Sequence, residues 1–138
     1  MRIENSELRI MISDASEMLP RKENIILQKT DAYCGRILKL YQFLTNVKHE
    51  TIISKQILRS GTSIGANTVE SRNAQGCKDF INKLSIALKE ADETEYWLKK
   101  LFQGGYIDLK GYESMHRDNE EIISILTKII KTMKQKTT

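Results

Sequence analysis

The sequence predicts an all-α fold, an antiparallel up-down four-helix bundle, from three observations. Apolar residues recur at alternating steps of three and four through most of the chain, the spacing that gathers them on one face of a helix. Turn-forming residues are scarce: one proline and seven glycines in 138 positions leave room for only a few long elements. No pair of strands is visible. Helices with short connections bury their apolar stripes against one another, and four of them do so in an up-down bundle.

The first helix spans Ile25 to Val47, where Ile26, Tyr33, Ile37, Leu40, Leu44 and Val47 form the seam. A second, from about Glu50 to Ser71, is carried by Ile53, Ile57, Leu58 and Ile64, and ends near Asn73 where the pattern stops. The third is the clearest, because Phe80, Leu84, Ala87, Ala91, Thr94, Leu98 and Leu101 keep one alternation throughout, with Ile81, Leu88 and Phe102 widening the stripe. Gly104-Gly105 ends it, since glycine enters the left-handed region without a Cβ penalty. Tyr106-Ile107 then forms an apolar plug, and Asp108 is placed to cap the fourth helix. That helix carries Met115, Ile122, Leu126, Ile129 and Met133, flanked by Ile123, Ile125 and Ile130, before the polar tail from Lys134 to Thr138. Ahead of all four, Leu8, Met11, Ile12, Ala15, Met18 and Leu19 form a smaller amphipathic set closed by Pro20, because the residue before a proline resists helical geometry. We therefore expect an N-terminal extension over residues 1–22, an additional helix docked on the bundle or on a neighbouring subunit, and a bundle domain over residues 23–138.

Composition limits the function classes. With 40% apolar and 29% charged residues the chain has a soluble globular balance, and its length suits one domain. No apolar run is long enough for a membrane span, and the N-terminus alternates charged with apolar residues where a signal peptide needs an unbroken apolar core. A cytoplasmic protein without membrane association is expected. Cys34 and Cys77 are far apart and lack C-x-x-C spacing, so they read as reduced thiols packed like small apolar residues.

Gly61-Thr62-Ser63-Ile64-Gly65 matches the G-x-S-x-G nucleophile elbow. The elbow needs a strand entering the serine at the edge of a large sheet, whereas Ile52 to Ser60 has helical spacing and the chain is too short for such a sheet. Ser63 is therefore not read as a nucleophile. His49 and His116 stand without H-E-x-x-H or paired cysteines, so no metal is expected, and no lysine follows Gly65 to complete a phosphate loop. No catalytic residue and no cofactor are assigned. Instead, Gly61, Gly65 and Ala66, with Ser60 and Ser63, let a neighbouring helix come close, which must offset about 1 kcal/mol of helix propensity for each glycine. Asn67 lies four residues after Ser63 and Glu70 three after Asn67, so the three share a face. A structural polar network is expected there, with Ser85 or Lys89 of the third helix as partners, because a buried unpaired group costs about 1–3 kcal/mol.

Two long runs carry a family resemblance: Ser54 to Asn67 (SKQILRSGTSIGAN) and Lys78 to Ala91 (KDFINKLSIALKEA), joined by Tyr96-Trp97-Leu98 and Gly105-Tyr106-Ile107. Over about Asn24 to Lys134 they closely resemble the bacterial four-helix-bundle family named for 23S rRNA intervening sequences. The resemblance implies an up-down bundle, assembly as a homopentameric barrel around a central channel, and no established enzymatic activity. The chain is also similar to the accessory variability determinant of diversity-generating retroelements, which implies a basic pentamer that binds nucleic acid and a reverse transcriptase. Where many relatives carry Asn-Ile-Ala-Glu-Gly, this chain has Asn67-Thr68-Val69-Glu70-Ser71, and the N-terminal extension lies outside the resemblance.

Charge bears on the nucleic-acid implication separately. Net charge is +4, so five copies would carry +20 on one particle. Residues 128–138 hold Lys128, Lys131, Lys134 and Lys136 with no acid, whereas residues 105–127 hold five acids against Lys110 and Arg117. Arg36, Lys39, Lys55, Arg59 and Arg72 add positive charge on the first two helices. These five, with Lys128, Lys131 and Lys134, are the candidate RNA- or DNA-binding residues. The blander alternative is that the C-terminal lysines complement the helix dipole and keep the tail soluble. No aromatic platform is interleaved with the lysines, so little sequence preference is expected, and Tyr96 and Trp97 read as packing or interface anchors. The competing class is a protein-interaction scaffold that docks a partner such as a reverse transcriptase without touching nucleic acid.

Overall fold

The computed structural model describes residues 21–136. They form four helices, α1 (Arg21–Asn46), α2 (Ile53–Glu70), α3 (Cys77–Gln103) and α4 (Leu109–Lys136), with a single 3-10 turn, Ser71–Asn73, prolonging α2. No strand occurs among the described residues. The additional helix expected ahead of Pro20 lies outside them.

Pairs between helices fix the direction of each neighbour. Gly65 of α2 lies against Thr30 of α1, and Gly61 against Ile37. Between α2 and α3, Ser60 meets Thr94 and Glu70 meets Lys83. Asn119 of α4 reaches Ala91 of α3, and His116 reaches Glu95. Across the last seam, Lys29 of α1 meets Glu121 and Arg36 meets Asp118. One residue number rises as the other falls in every case, so all four seams are antiparallel. This is the up-down bundle the sequence predicts.

The predicted seams form the core. Ile26, Tyr33, Ile37 and Leu44 from α1, Ile57 and Ile64 from α2, Leu84, Leu98 and Leu101 from α3, and Ile122 and Leu126 from α4 are almost wholly buried. Phe102 of the widened α3 stripe is exposed at 38%, and Val47 departs furthest, at 60%. It departs from the predicted seam because α1 has already ended: the Val47 and Lys48 N–H groups both donate to Phe43 O, the Glu50 N–H donates to Leu44 O at 2.8 Å, and His49 sits in the left-handed region at φ 55°. The thiols also differ from expectation. Both cysteines are free, but only Cys34 is half-buried; Cys77, at the start of α3, is exposed. Burial and the nearby Asp31 carboxylate raise the Cys34 pKa.

The turn after α1 delivers Glu50 into a buried position, where its carboxylate accepts the N–H groups of Ile52 (2.9 Å), Ile53 (2.8 Å) and Ser54 (2.7 Å). Those are orphan donors at the start of α2, and an anion also suits the positive end of the helix dipole. Burial works to raise the Glu50 pKa, but the hydrogen bonds from Ile53, Ser54 and Ile52 outweigh it and hold the carboxyl below its ordinary range. The sequence pattern placed Glu50 at the start of the helix, whereas it stands two residues before the Ile52 N-cap and caps the helix through its side chain. At the other connection the structure agrees with expectation. Tyr106 N–H returns to Leu101 O at 2.9 Å with Gly105 at φ 78°, and Asp108 Oδ1 accepts the Gly111 N–H at 2.7 Å.

The small residues of α2 make a close contact, and its partner is α1. A Cβ at Gly61 would stand 2.7 Å from Ile37 Cδ1 and Cγ1, whereas one at Gly65 would meet nothing nearer than Thr30 O at 3.5 Å. Ile37 is β-branched and fully buried, so it has little freedom to move aside. Gly61→Ala should therefore lower stability by about 1–3 kcal/mol through overpacking, while Gly65→Ala should be neutral or slightly stabilising through helix propensity. Urea melts of the two variants beside the parent measure both, and equal effects would refute the assignment of the close contact to Gly61.

Glu50 gives a pH signature. Its folded pKa is depressed, so its contribution is complete above the ordinary carboxylate value near 4.5 and is lost as pH falls through the folded value. Glu50→Gln should cost about 1–2 kcal/mol at pH 7, a typical cap value, and the gap from the parent should shrink towards pH 3. Parallel melts at the two pH values test it; a gap that stays constant would show that the charge of the cap is irrelevant.

Candidate functional site

The candidate basic residues divide into two kinds. Arg36, on α1, spends its guanidinium on α4: Nη1 donates to Asp118 Oδ2 and to Ser114 O at 3.3 Å, and Nη2 donates to Ser114 Oγ at 2.8 Å. Arg59, on α2, does the same across the α2–α3 seam, with Nη1 on Glu90 at 3.2 Å and Nη2 on Glu93. Glu93 also accepts from Trp97 Nε1 at 3.4 Å. The Arg59 hydrogen bond is the largest influence on Glu93 and lowers its pKa, while the Glu93 hydrogen bond raises that of Arg59. Both arginines therefore bridge helices. Lys39, Lys55, Arg72, Lys128, Lys131 and Lys134 occupy exposed positions.

Topology separates those six further. Lys39 lies in the later half of α1 and Lys55 in the first turn of α2, near the end of the bundle that holds the α1–α2 connection. Arg72 follows α2 at the opposite end, beside the start of α3 with Lys78, and the last turns of α4 bring Lys128, Lys131 and Lys134 to that same end. Among the described acids at that end, Glu70 pairs with Lys83 at 3.2 Å, and Asp79 accepts the Gln75 N–H at 3.2 Å. The lysine-rich pole therefore includes four of the eight candidate residues.

The polar set on α2 is more local than expected. Ser63 Oγ donates to Arg59 O at 2.7 Å, and Asn67 Nδ2 donates to Ser63 O at 2.9 Å, both within the helix. Glu70 crosses to α3, but its partner is Lys83. The antiparallel register puts Glu70 level with Lys83 rather than with Ser85 or Lys89, and half-buried Asn67 finds its acceptor one turn back. The buried interhelical polar contacts lie elsewhere. Thr94 Oγ1 donates to Ser60 Oγ at 2.9 Å, Asn119 Nδ2 to Ala91 O at 2.9 Å, and Tyr33 OH to Met115 O at 3.1 Å. Desolvation pushes the Tyr33 phenol well above its ordinary range, with the Glu95 and Asp118 charges adding to it.

A further cluster was not anticipated. Tyr112 OH donates to Glu95 Oε2 at 2.6 Å, His116 Nδ1 lies 2.8 Å from Glu95 Oε1, and Glu120 stands one turn beyond His116. Burial, the Glu95 hydrogen bond and the Glu95 and Glu120 charges push the Tyr112 pKa up to about 12. The i, i+4 spacing of Tyr112, His116 and Glu120 was a visible signal. Their partner on α3 was not, because it depends on hairpin register. Tyr96 is exposed and meets half-buried Trp97 edge-to-face, with centroids 4.9 Å apart, while Trp97 packs on the core.

Among the described residues no helix is long and apolar enough to cross a membrane. Over residues 22–128 the chain matches the family model of the 23S rRNA-intervening sequence protein. It is also similar to a solved structure, a protein with unknown function from the S23 ribosomal protein family of Bacteroides thetaiotaomicron VPI-5482. Identity is 54% and the TM-score 0.79, over 80% of this chain and 98% of that one. No curated protein matches. The family match takes in α2 and α3 whole and most of α1 and α4, and this chain belongs to the 23S rRNA-intervening sequence protein family.

Proposed function

We propose that this protein is a non-enzymatic, oligomeric helical bundle that binds RNA or DNA through its lysine-rich pole with little sequence preference. One observation carries the reading: no acid follows Glu121 in α4, and Lys128, Lys131 and Lys134 arrive at the end of the bundle that also holds Arg72 and Lys78. A concentration of cations at one end of a particle attracts a polyanion. The two arginines that bridge helices are left out of the binding surface, as are Lys39 and Lys55 at the far end. Tyr96 and Trp97 also lie in the other half of α3, so bases have no stacking platform beside the lysines. Phosphate contact then supplies the affinity, and assembly multiplies it.

Assembly as a homopentamer is part of the proposal. Val47, Ile52 and Leu109 are exposed at the end opposite the lysines, with Ile52 at 76%. These apolar side chains, together with the family resemblance, support burial between copies. They also favour the second reading, a scaffold that docks a protein such as a reverse transcriptase. Capture of a partner that survives nuclease treatment would favour the scaffold.

Binding through phosphates predicts that log affinity falls linearly with log salt, with a slope of about 0.9 per duplex phosphate contact. Lys128→Glu with Lys131→Glu should weaken binding to structured RNA or duplex DNA by about tenfold or more at low salt, whereas Lys39→Glu with Lys55→Glu should change it little. A filter-binding titration of both double variants is the test; absence of binding by the parent at low salt would end the nucleic-acid reading. Light scattering addresses assembly separately, with about 80 kDa expected for five chains of 15.9 kDa, and a monomer at micromolar concentration would remove the pentamer.

A further inference from the structure

We propose that Glu95, His116 and Glu120 form a binding site for a divalent transition-metal ion of the zinc class, held across the α3–α4 seam. The site is independent of the nucleic-acid reading and lies in the other half of α4. Each of the three residues offers one ligand atom, and these atoms all lie within 4.8 Å of one another. His116 and Glu120 come from successive turns of α4, and Glu95 from the antiparallel helix beside it.

The donor set selects the ion. One imidazole nitrogen with two carboxylates suits zinc, cobalt or nickel, whereas calcium and magnesium prefer all-oxygen shells. The present spacing is that of a proton-bridged pair, with His116 Nδ1 and Glu95 Oε1 2.8 Å apart. A tetrahedral ion with bonds of about 2.1 Å holds two donors roughly 3.4 Å apart, so a small side-chain adjustment exchanges the proton for a metal. Water would complete the coordination on the exposed side.

The surroundings hold the donors in place. The Glu95 side chain is only 12% exposed, unlike an acid on an open helix face. Tyr112 OH fixes its Oε2, leaving Oε1 turned to His116, and the Tyr112 ring lies against the His116 ring with centroids 5.4 Å apart. Such outer contacts orient metal ligands and are part of a metal site's design. A separate observation comes from Asn119, three residues after His116 and fully buried in the same seam. Its Nδ2 donates to Ala91 O, one turn before Glu95, but its Oδ1 has no hydrogen-bond partner. A buried carbonyl oxygen without a donor is rare, which marks this stretch of the seam as one with an unmet polar requirement.

The test uses the full chain, stripped with a chelator and titrated calorimetrically with zinc. One ion per chain with a dissociation constant on the order of micromolar is expected, and saturation should raise the melting midpoint by about 5 °C or more. His116→Ala and Glu120→Gln should each weaken binding by about tenfold or more; Glu120 is exposed, so its variant also guards against misfolding as the explanation. His49→Ala and the double variant Cys34→Ser, Cys77→Ser should bind as the parent does. Cobalt substitution should give a visible spectrum without a thiolate charge-transfer band. No saturable binding at millimolar zinc, binding indifferent to both α4 variants, or binding lost with the thiols would each overturn the site.

Discussion

A missing side chain at residue 61 sets the distance between α1 and α2, and the rest of the bundle is arranged around that contact. Ile37 occupies the space that a Cβ at Gly61 would take, so α1 lies nearer to α2 than a larger residue would permit. Once those two helices are pinned, the remaining positions around α2 are determined. Its Ser60 side meets Thr94 on α3, and its first N–H groups receive the Glu50 carboxylate delivered by the α1 turn. The glycine is unfavourable for the isolated helix by about 1 kcal/mol. Full burial of Ile37, worth about 1.5–3 kcal/mol by area, exceeds that local loss. Packing against a specific neighbour decides the conformation here, and helix propensity does not.

The same geometry sorts the cations by chemistry. Arginine presents a rigid fork of donors, and both arginines facing a seam, Arg36 and Arg59, engage two acceptor groups on the next helix. More than a third of each guanidinium side chain is exposed, so screening limits what either pair adds to stability, and orientation of the seam is the larger effect. Lysine is a strongly hydrated point charge on a flexible stem, and the bundle leaves most lysines on its outside. The division explains why net charge alone was a poor guide to a binding surface. Charge locked between helices adds little to the field that a polyanion meets, whereas Lys128 and Lys131 stand exposed on turns of α4 that hold no acid.

How much of this was legible in the sequence depends on the range of the interaction. Seams such as Ile26, Tyr33, Ile37 and Leu44 follow from a 3.6-residue period, which any long helix must obey once one face is buried. The Gly104-Gly105 stop and the Asp108 cap were readable because both act within a few residues. The small-residue stretch announced a close contact but not its partner, since glycines at 61 and 65 permit approach without naming the neighbour. Glu50 was misplaced because its role depends on the path of a turn through His49, which no periodicity encodes. Glu95 with His116, and Asn119 with Ala91, were out of reach for another reason: each joins helices through a hairpin register that only the assembled bundle defines.

Helix α4 thus carries two chemically different halves, and the two roles proposed for them would not interfere. From Glu120 to Lys128 is eight residues and to Lys134 fourteen, or about 12 to 21 Å along a helix rising 1.5 Å per residue. Those distances exceed the Debye length of about 8 Å at physiological ionic strength, so a dication near His116 would barely alter the potential at the lysines. Lys134 and Lys136, in the last turn, also complement the negative end of the helix dipole, each by about 0.3–1 kcal/mol at low salt. Their mutual repulsion opposes that gain and would grow in a ring of five copies. Phosphates held at the pole would relieve that repulsion. A polyanion at that pole would therefore act with the helix rather than against it, by lowering the cost of gathering like charges in its last turns.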